Sequence, residues 1–268
     1  MCGRYTISHS TEEILERFQI LAEKVDLRPN YNVAPSQMVP IVVSEEPPSP
    51  DEPGSRLLQI CKWGLLPFWA KDPSQAKPLI NARAETLTEK KVFKKAFIKR
   101  RCVIPADGFY EWKKLASGKK QPMRICFNDG RLFGFAGIYQ DMKTDEGEMI
   151  RTVAIITVPA SEVVKDIHDR MPAILNLETE KIWLDPEIQD EAALSHCLQP
   201  YGFSDLEAFV VSTGVNKVST NTPELIERLS AEQIAAAENA EPEKKKPSAS
   251  KKKSVPVESP GQLKLPFA

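Results

Sequence analysis

Cys2 is the first residue whose position could support chemistry, because it becomes the amino-terminal residue if Met1 is removed. It would then offer an α-amine beside its thiol. An α-amino group has a typical pKa of about 7.7–8.0, so part of it is neutral and nucleophilic near pH 7. Such an aminothiol can condense with an aldehyde to an imine and then close to a thiazolidine ring. A Met-Cys start alone more often has no role than a catalytic one.

Two polar segments farther along the chain add candidate groups. One contains Asn81 and Arg83, and the other places Glu111 between Tyr110 and Trp112. Loss of hydration among aromatic rings would raise the pKa of Glu111 and suit it to proton transfer. A surface charge and a turn-forming asparagine are the ordinary alternatives.

Two further segments complete the set of candidates. His168 and Arg170 supply an imidazole and a guanidinium just before a chain-stiffening proline. The segment YNVAPSQ, with Asn32, Pro35 and Ser36, offers backbone and amide donors on a turn. Each segment is also typical of an ordinary loop, so only their joint occurrence points to a function.

The order and spacing of these segments resemble those of the SOS response-associated peptidase (SRAP) family. The resemblance runs from Met1 to Asn216 through MCGRY, YNVAPSQ, KWGLLPFWA, INARAET, RCVIPADGFYEW, FAGIY, TVPA, HDRMPAIL and Val215-Asn216. Members of this family include bacterial and animal sensors of abasic sites. The resemblance therefore implies that the chain traps abasic sites in single-stranded DNA as a covalent adduct.

The same resemblance implies roles for individual residues. Cys2 is similar to the crosslinking nucleophile of the family, and Glu111 to the acid/base that opens the sugar. His168 resembles the histidine that assists ring opening and reversal. Asn81 is similar to the asparagine that positions the terminal amine or its product.

A second set of residues is implied to contact DNA: Arg4, Asn32, Pro35, Ser36, Phe68, Trp69, Arg83 and Arg170. The three arginines resemble phosphate-binding residues, since a guanidinium fork can bind two phosphate oxygens. The two aromatic residues could stack on bases or wedge against a duplex end, with packing in the core as the alternative. Phe68 stands where the family often has a tryptophan, which puts the wedge in doubt.

Composition limits the other classes of function. The chain has 36 Lys and Arg against 37 Asp and Glu, so a nucleic-acid footprint must be local. No CxxC, HExxH or glycine-rich phosphate loop occurs, and we expect neither a metal nor a cofactor. The five cysteines form an odd set that favours reduced thiols, and no secretory signal or membrane span is found, so we expect a cytoplasmic protein and a monomer.

Short apolar runs separated by Pro and Gly predict one α+β domain over residues 1–230. Strands outnumber helices without regular alternation, which favours a largely antiparallel, barrel-like β-sheet with flanking helices. Predicted strands are 39–43, 57–63, 123–127, 132–139, 152–157 and 209–212, and predicted helices open at 10–11, 92, 179 and 191.

The last part of the chain differs in composition. Residues 231–260 are rich in Glu, Lys, Pro and Ser and predict a disordered linker. Residues 261–268 resemble the peptide that binds the bacterial sliding clamp. Gln262 would hydrogen-bond in a small pocket. Leu263 and Leu265 are spaced along the peptide before Phe267, and Leu265 and Phe267 would fill an apolar groove. A chance apolar terminus is the alternative.

Two other functions stay open on the sequence alone. One is a peptidase with Cys2 as an amino-terminal nucleophile, acting on itself or on other proteins. The other is a noncatalytic module whose reversible binding to single-stranded DNA would depend on salt but not on Cys2. A peptidase has no need for Arg83 and Arg170 directed at phosphates, which favours the DNA functions.

Overall fold

The computed structural model describes residues 2–20, 25–45, 55–70, 75–143, 147–202 and 204–239. Its helices are α1 (Thr11–Phe18), α2 (Lys91–Lys99), α3 (Leu177–Leu184), α4 (Glu191–His196) and α5 (Ala231–Asn239). Its strands are β1 (Tyr5–Ile7), β2 (Asn30–Val33), β3 (Met38–Ser44), β4 (Arg56–Trp63), β5 (Asn81–Arg83), β6 (Arg101–Ala106), β7 (Gly108–Lys114), β8 (Lys120–Phe127), β9 (Phe133–Lys143), β10 (Met149–Pro159), β11 (Arg170–Pro172), β12 (Ile174–Leu175) and β13 (Leu206–Val210).

Five of these strands close into a barrel. β3 pairs with β4 and β6, β6 pairs with β9, β9 pairs with β10, and β10 returns to β4. The β4–β10 pairing is parallel and the other four are antiparallel. β5 and β11 extend the sheet beside β10, and β12 pairs with β9. The prediction of an α+β fold on a largely antiparallel, barrel-like sheet is confirmed.

A second, antiparallel sheet has the strand order β13-β8-β7-β1-β2. Aromatic rings join it to the barrel. The ring of Tyr5 lies 5.4 Å from that of Trp63 and 5.9 Å from that of Phe135, and Phe109 contacts Phe135 at 6.1 Å, all near edge-to-face. All four rings are buried. The start of the chain is therefore fixed between the sheet and the barrel.

The buried carboxylate of Asp107 joins β1 to the turn between β6 and β7. It accepts hydrogen bonds from the hydroxyl of Thr6 and from Ser8, whose Oγ is 2.6 Å away, and it contacts His9 Nδ1 and Arg124 Nη2 at 3.2 Å. Burial alone would raise the pKa of Asp107. The hydrogen bonds and the charge of Arg124 outweigh this and lower the pKa to about 2.

Residues 1–230 form one compact unit, and the described residues after 230 belong to a second unit. Ala231–Asn239 form α5, so these nine residues are helical where the composition predicted disorder. The segment AEQIAAAEN is rich in alanine and glutamate, and their high helix propensity explains the difference. The remaining residues of the linker and the predicted clamp peptide lie outside the described residues. No described helix is long and apolar enough to cross a membrane.

Candidate active site and DNA interface

Cys2 lies in the short segment before β1 and is buried. Its thiol donates to the carbonyl oxygen of Arg4 at 3.5 Å. Asn81, the first residue of β5, donates through Nδ2 to the carbonyl oxygen of Cys2 at 2.8 Å. The buried Oδ1 of Asn81 has no hydrogen-bond partner among the described residues. One end of this amide thus fixes Cys2, and the other end can accept a further donor.

Glu111 is brought beside Cys2 by the pairing of β1 with β7. Tyr5 lies opposite Phe109, and Tyr110 N donates to the carbonyl oxygen of Arg4 at 3.0 Å. Continuing this antiparallel register places Glu111 alongside the residues just before Arg4. Its side chain is buried, and burial raises the pKa of the carboxyl, although nearby positive charge opposes the rise. Such a carboxyl can hold and deliver a proton closer to neutral pH than an exposed one.

The thiol of Cys2 is held in its neutral form. Burial raises the pKa of Cys2 well above its ordinary value, and the negative charge of Glu111 raises it further. The other four cysteines are buried as well, and all five are free thiols. A buried neutral thiol reacts slowly until a partner arrives beside it, because the thiolate is the stronger nucleophile.

His168 precedes β11 and has neighbours suited to both of its protonation states. Its Nδ1 can accept the N–H of Arg170 at 3.0 Å only when the ring is neutral. The same nitrogen lies 2.8 Å from Asp169 Oδ1, to which a protonated ring would donate. A positive charge on His168 would lower the pKa of Glu111. No group of three potential metal ligands occurs within the described ranges.

Arg83 and Arg170 lie on strands that flank β10. Arg83 is opposite Thr157 in the β5 ladder, and Arg170 is opposite Pro159 in the β11 ladder. The side chain of Arg83 is exposed. Arg170 instead forms a bidentate ion pair with Glu85 at 2.5 and 2.9 Å and donates to the carbonyl oxygen of Thr157 at 2.6 Å. A phosphate could bind the fork of Arg170 only by replacing Glu85.

Arg4 and Asn32 hold a later segment of the chain against β1 and β2. Arg4 Nη1 donates to Asn32 Oδ1 and to the carbonyl oxygen of Val215, both at 2.7 Å. Asn32, with 1% of its surface exposed, donates to the carbonyl oxygens of Lys217 and Thr220 at 3.1 and 2.8 Å. Both side chains thus have structural partners, and their contact with DNA stays a prediction.

The turn around Pro35 and the two exposed aromatic residues both adjoin the end of β4. Ser36 is exposed, has the left-handed φ of 72°, and donates its N–H to the carbonyl oxygen of Trp63 at 2.8 Å. Phe68 and Trp69 are 53% and 55% exposed and contact each other edge-to-face at 4.8 Å. The alternative of core packing does not hold for these two rings, which are available for stacking. Where they lie relative to DNA stays a prediction.

Sequence reasoning missed two features of this region. The first is Glu85, whose position two residues after Arg83 was a signal that an acid shares the arginine segment. The second is the 3₁₀ turn Thr213–Asn216, to which Trp112 Nε1 is tied by a 2.7 Å hydrogen bond to Asn216 Oδ1. Val215 and Asn216 belong to the resemblance, but no local pattern indicates that Arg4 would contact Val215 or that Trp112 would contact Asn216.

Comparison with known proteins finds relatives along most of the chain. The profile described as SOS response associated peptidase (SRAP) matches residues 1–218. A Bacillus subtilis protein named abasic site processing protein YoqW is 46% identical over 229 residues, which are 85% of this chain and 99% of that protein. The abasic site processing protein HMCES of Xenopus tropicalis is 35% identical over 222 residues, covering 74% of this chain and 65% of that protein.

A crystal structure of a protein from Bacteroides thetaiotaomicron superposes with a TM-score of 0.73 at 29% identity, covering 85% of this chain and all of that one. The profile match spans most of the chain and includes Cys2, Asn81, Glu111 and His168. The chain therefore belongs to the SRAP family.

Proposed function

We propose that this protein recognises abasic sites in single-stranded DNA and captures them covalently through Cys2 once Met1 is removed. The observation that carries the proposal is the placement of Cys2: Asn81 holds its carbonyl, and the buried Glu111 lies beside it with a raised pKa. The names of the B. subtilis and X. tropicalis relatives support an abasic site as the target.

The reaction begins at the sugar. An abasic deoxyribose exchanges between a closed hemiacetal and an open aldehyde. Glu111 speeds this exchange by giving a proton to the ring oxygen and taking one from the hydroxyl on C1′. His168, whose charge would act on the pKa of Glu111, is a second group that can carry a proton.

The α-amine of Cys2 then leads the attack. It adds to C1′, and loss of one water leaves an imine. The thiol sulfur adds to the same carbon while the S–H proton moves to the nitrogen, which closes the thiazolidine. The raised pKa of the Cys2 thiol supports this order, because a neutral thiol is a weaker first nucleophile than a neutral amine. The open Oδ1 of Asn81 is suited to accept an N–H of the amine or of the product.

The raised pKa of the Cys2 thiol also argues against a peptidase function. A peptidase that uses Cys2 needs a readily formed thiolate to attack an amide, whereas burial disfavours the thiolate here. An aldehyde is a much better electrophile than an amide, so the amine can attack it without a thiolate.

DNA would reach the site along the arginines. Arg83 is exposed and can bind a phosphate directly. Arg170 can bind a phosphate at its fork only after Glu85 has been displaced. The exposed rings of Phe68 and Trp69 offer a surface on which bases of the strand can stack.

The deciding experiment is an intact-mass measurement after incubation with an abasic single-stranded oligonucleotide. We expect the mass of the chain without Met1 plus that of the oligonucleotide minus one water. An oligonucleotide with a tetrahydrofuran in place of the abasic sugar lacks the aldehyde and should give no adduct. An adduct on chains that retain Met1, or none on chains that have lost it, would refute the proposal.

A further inference from the structure

β7 and β8 continue beyond the rest of their sheet as a two-stranded hairpin. β1 accompanies β7 only as far as Tyr110, which bonds to Arg4. On the other side, β13 accompanies β8 from Phe127 to Met123, with one more bond to Pro122. In the described part of the chain, no third strand pairs with residues 113–121. We call these residues the lysine arm.

The lysine arm is strongly basic in a chain of net charge −1. It contains Lys113, Lys114, Lys119 and Lys120 and no acidic residue. Lys114 lies directly opposite Lys120 in the ladder. Like charges that face each other across two strands destabilise a hairpin. An isolated ribbon is itself only marginally stable, so this pair is unfavourable in the free protein.

The lysine arm is continuous with the candidate active site. Lys113 follows Glu111 by two residues on β7, so both side chains point to the same face, about 7 Å apart along the strand. Trp112, between Glu111 and Lys113, donates a hydrogen bond to Asn216. The exposed Lys217 follows Asn216 directly. Within the described residues, no acidic side chain forms an ion pair with the arm lysines 113, 114 and 120. Lys114 and Lys120 point to the opposite face of the ribbon. A polyanion that leaves the site past Lys113 would therefore meet unneutralised lysines on both faces of the arm.

We propose that the lysine arm binds the phosphodiester backbone of the DNA that flanks the captured lesion. This inference rests on the proposed function, because it takes the lesion to lie at Cys2 and Glu111. Phosphate neutralises the charges of Lys114 and Lys120 and removes the repulsion between them. The arm supplies affinity without reading bases and does not touch the reacting atoms.

The test uses the full chain with Cys2→Ala, so that binding is measured without crosslinking. Fluorescence anisotropy gives affinity for single-stranded DNA at several salt concentrations. In K113Q/K114Q/K120Q we expect about tenfold weaker binding at low salt, and a salt slope reduced by about 0.7 for each lost phosphate contact. K114R/K120R should bind as the parent does. K94Q/K181Q removes two exposed lysines from α2 and α3 and should leave affinity unchanged.

Thermal unfolding separates binding from a structural role. K114Q/K120Q removes a repulsive pair, so its melting temperature should stay the same or rise. A lower melting temperature would mean that the lysines stabilise the hairpin, which overturns the proposal. With Cys2 present, adduct formation at saturating DNA should proceed at the parental rate in the arm variants.

The choice of oligonucleotide distinguishes the remaining outcomes. Loss of affinity only when a duplex flanks the single strand supports the arm and assigns its contact to the duplex. Unchanged affinity and salt slope with both oligonucleotides overturn the arm and leave the covalent capture standing. Failure of the parent chain to form an adduct overturns the proposed function, while the anisotropy data still decide whether the arm binds DNA.

Discussion

The residues around Cys2 are governed by burial. Glu111 and the Cys2 thiol both have raised pKa values because they lie out of water. The carboxyl therefore keeps its proton closer to neutral pH, and the thiol keeps its proton even above its ordinary pKa. The carboxyl can then act as a general acid, and the thiol can act as the second nucleophile, after the amine. Asn81 leaves one buried acceptor free at the same place. This combination suits a reaction in which an amine attacks first and the sulfur follows.

Cys2→Ala and Cys2→Ser separate the two nucleophiles. We expect both variants to lose the heat-stable adduct and to keep noncovalent DNA binding, because neither has a sulfur to close the ring. Each still has an α-amine once Met1 is removed, so an imine should form and be trapped by borohydride. Denaturing gels after heating, with and without reduction, measure both outcomes. A heat-stable adduct of Cys2→Ala without reduction would refute the assignment of Cys2.

Glu111→Gln tests the acid role through pH. In the parent, the amine must be neutral and Glu111 must be protonated, so the rate of adduct formation at subsaturating DNA should pass through a maximum. The variant keeps only the dependence on the amine, so its rate should rise with pH through about 8 and then level off. We expect the maximum rate to fall by about 10²–10⁴-fold. A variant profile that still falls at high pH would exclude Glu111 as the acid.

Glu85→Gln tests the competition at Arg170. The carboxylate occupies the guanidinium fork and also repels phosphate, so its loss should strengthen binding to single-stranded DNA. The ion pair is half exposed at Glu85, which limits the gain to about two- to fivefold. Anisotropy in the Cys2→Ala background measures it. Weaker binding would mean instead that Glu85 is needed to orient Arg170.

At the scale of elements, the sequence predicts the barrel better than the site. The strands at 39–43, 57–63 and 152–157 lie within β3, β4 and β10, and the four predicted helices correspond to α1 to α4. These elements have long apolar runs or clear caps, such as the capping box of Ser10 and Glu13 on α1. Burial on both faces of β3 and of the middle of β10 gives apolar runs that sequence reasoning recognises. The barrel strand β6 is buried throughout but was not predicted.

The strands that carry the candidate site were missed as strands. β1, β5 and β11 have only three residues each, and β7 mixes Glu111 and lysines with aromatic residues. Such segments have too few alternating positions for a periodic signal, and their pairing is set by distant partners. The resemblance could supply the residues, but the ion pair between Arg170 and Glu85 depends on tertiary contacts that no local pattern contains.

The junction of β1, β6 and β7 offers a test of stability. Asp107 has its pKa lowered to about 2 in the folded chain, against about 3.9 when unfolded. A depressed pKa contributes stability above the unfolded value and loses it as pH falls through the folded value, so about 2 kcal/mol should disappear between pH 4 and 2. Chemical denaturation at a series of pH values measures this loss.

Asp107→Asn serves as the matched variant. It leaves Arg124 buried without a countercharge, so we expect a loss of about 3–5 kcal/mol at pH 7. The difference between the two proteins should shrink as pH falls below 4. An equal difference at pH 7 and at pH 2.5 would show that Asp107 is not the titrating group.

At the scale of the whole molecule, the proposed function depends on where charge lies rather than on its sum. The chain is nearly neutral, yet the segment that follows Glu111 has four lysines and no acid over nine residues. A nearly neutral protein with a local basic segment would bind nucleic acid locally and salt-dependently, without the general attraction of a basic protein. This arrangement suits a protein that must remain on one lesion.

We predict that residues 262–267 would bring the protein to the replication fork by binding the sliding clamp. If residues 262–267 bind a sliding clamp, L265A/F267A should weaken binding to the purified bacterial clamp by at least about tenfold, since each buried apolar side chain contributes roughly 1.5–3 kcal/mol. K264A changes a neighbouring residue of the same peptide and should bind normally. Calorimetry measures the affinities, and adduct formation with free oligonucleotides should be the same in all three chains. Clamp affinity that survives deletion of residues 261–268 would mean that the tail is not the ligand, because no apolar peptide would then remain to fill the groove.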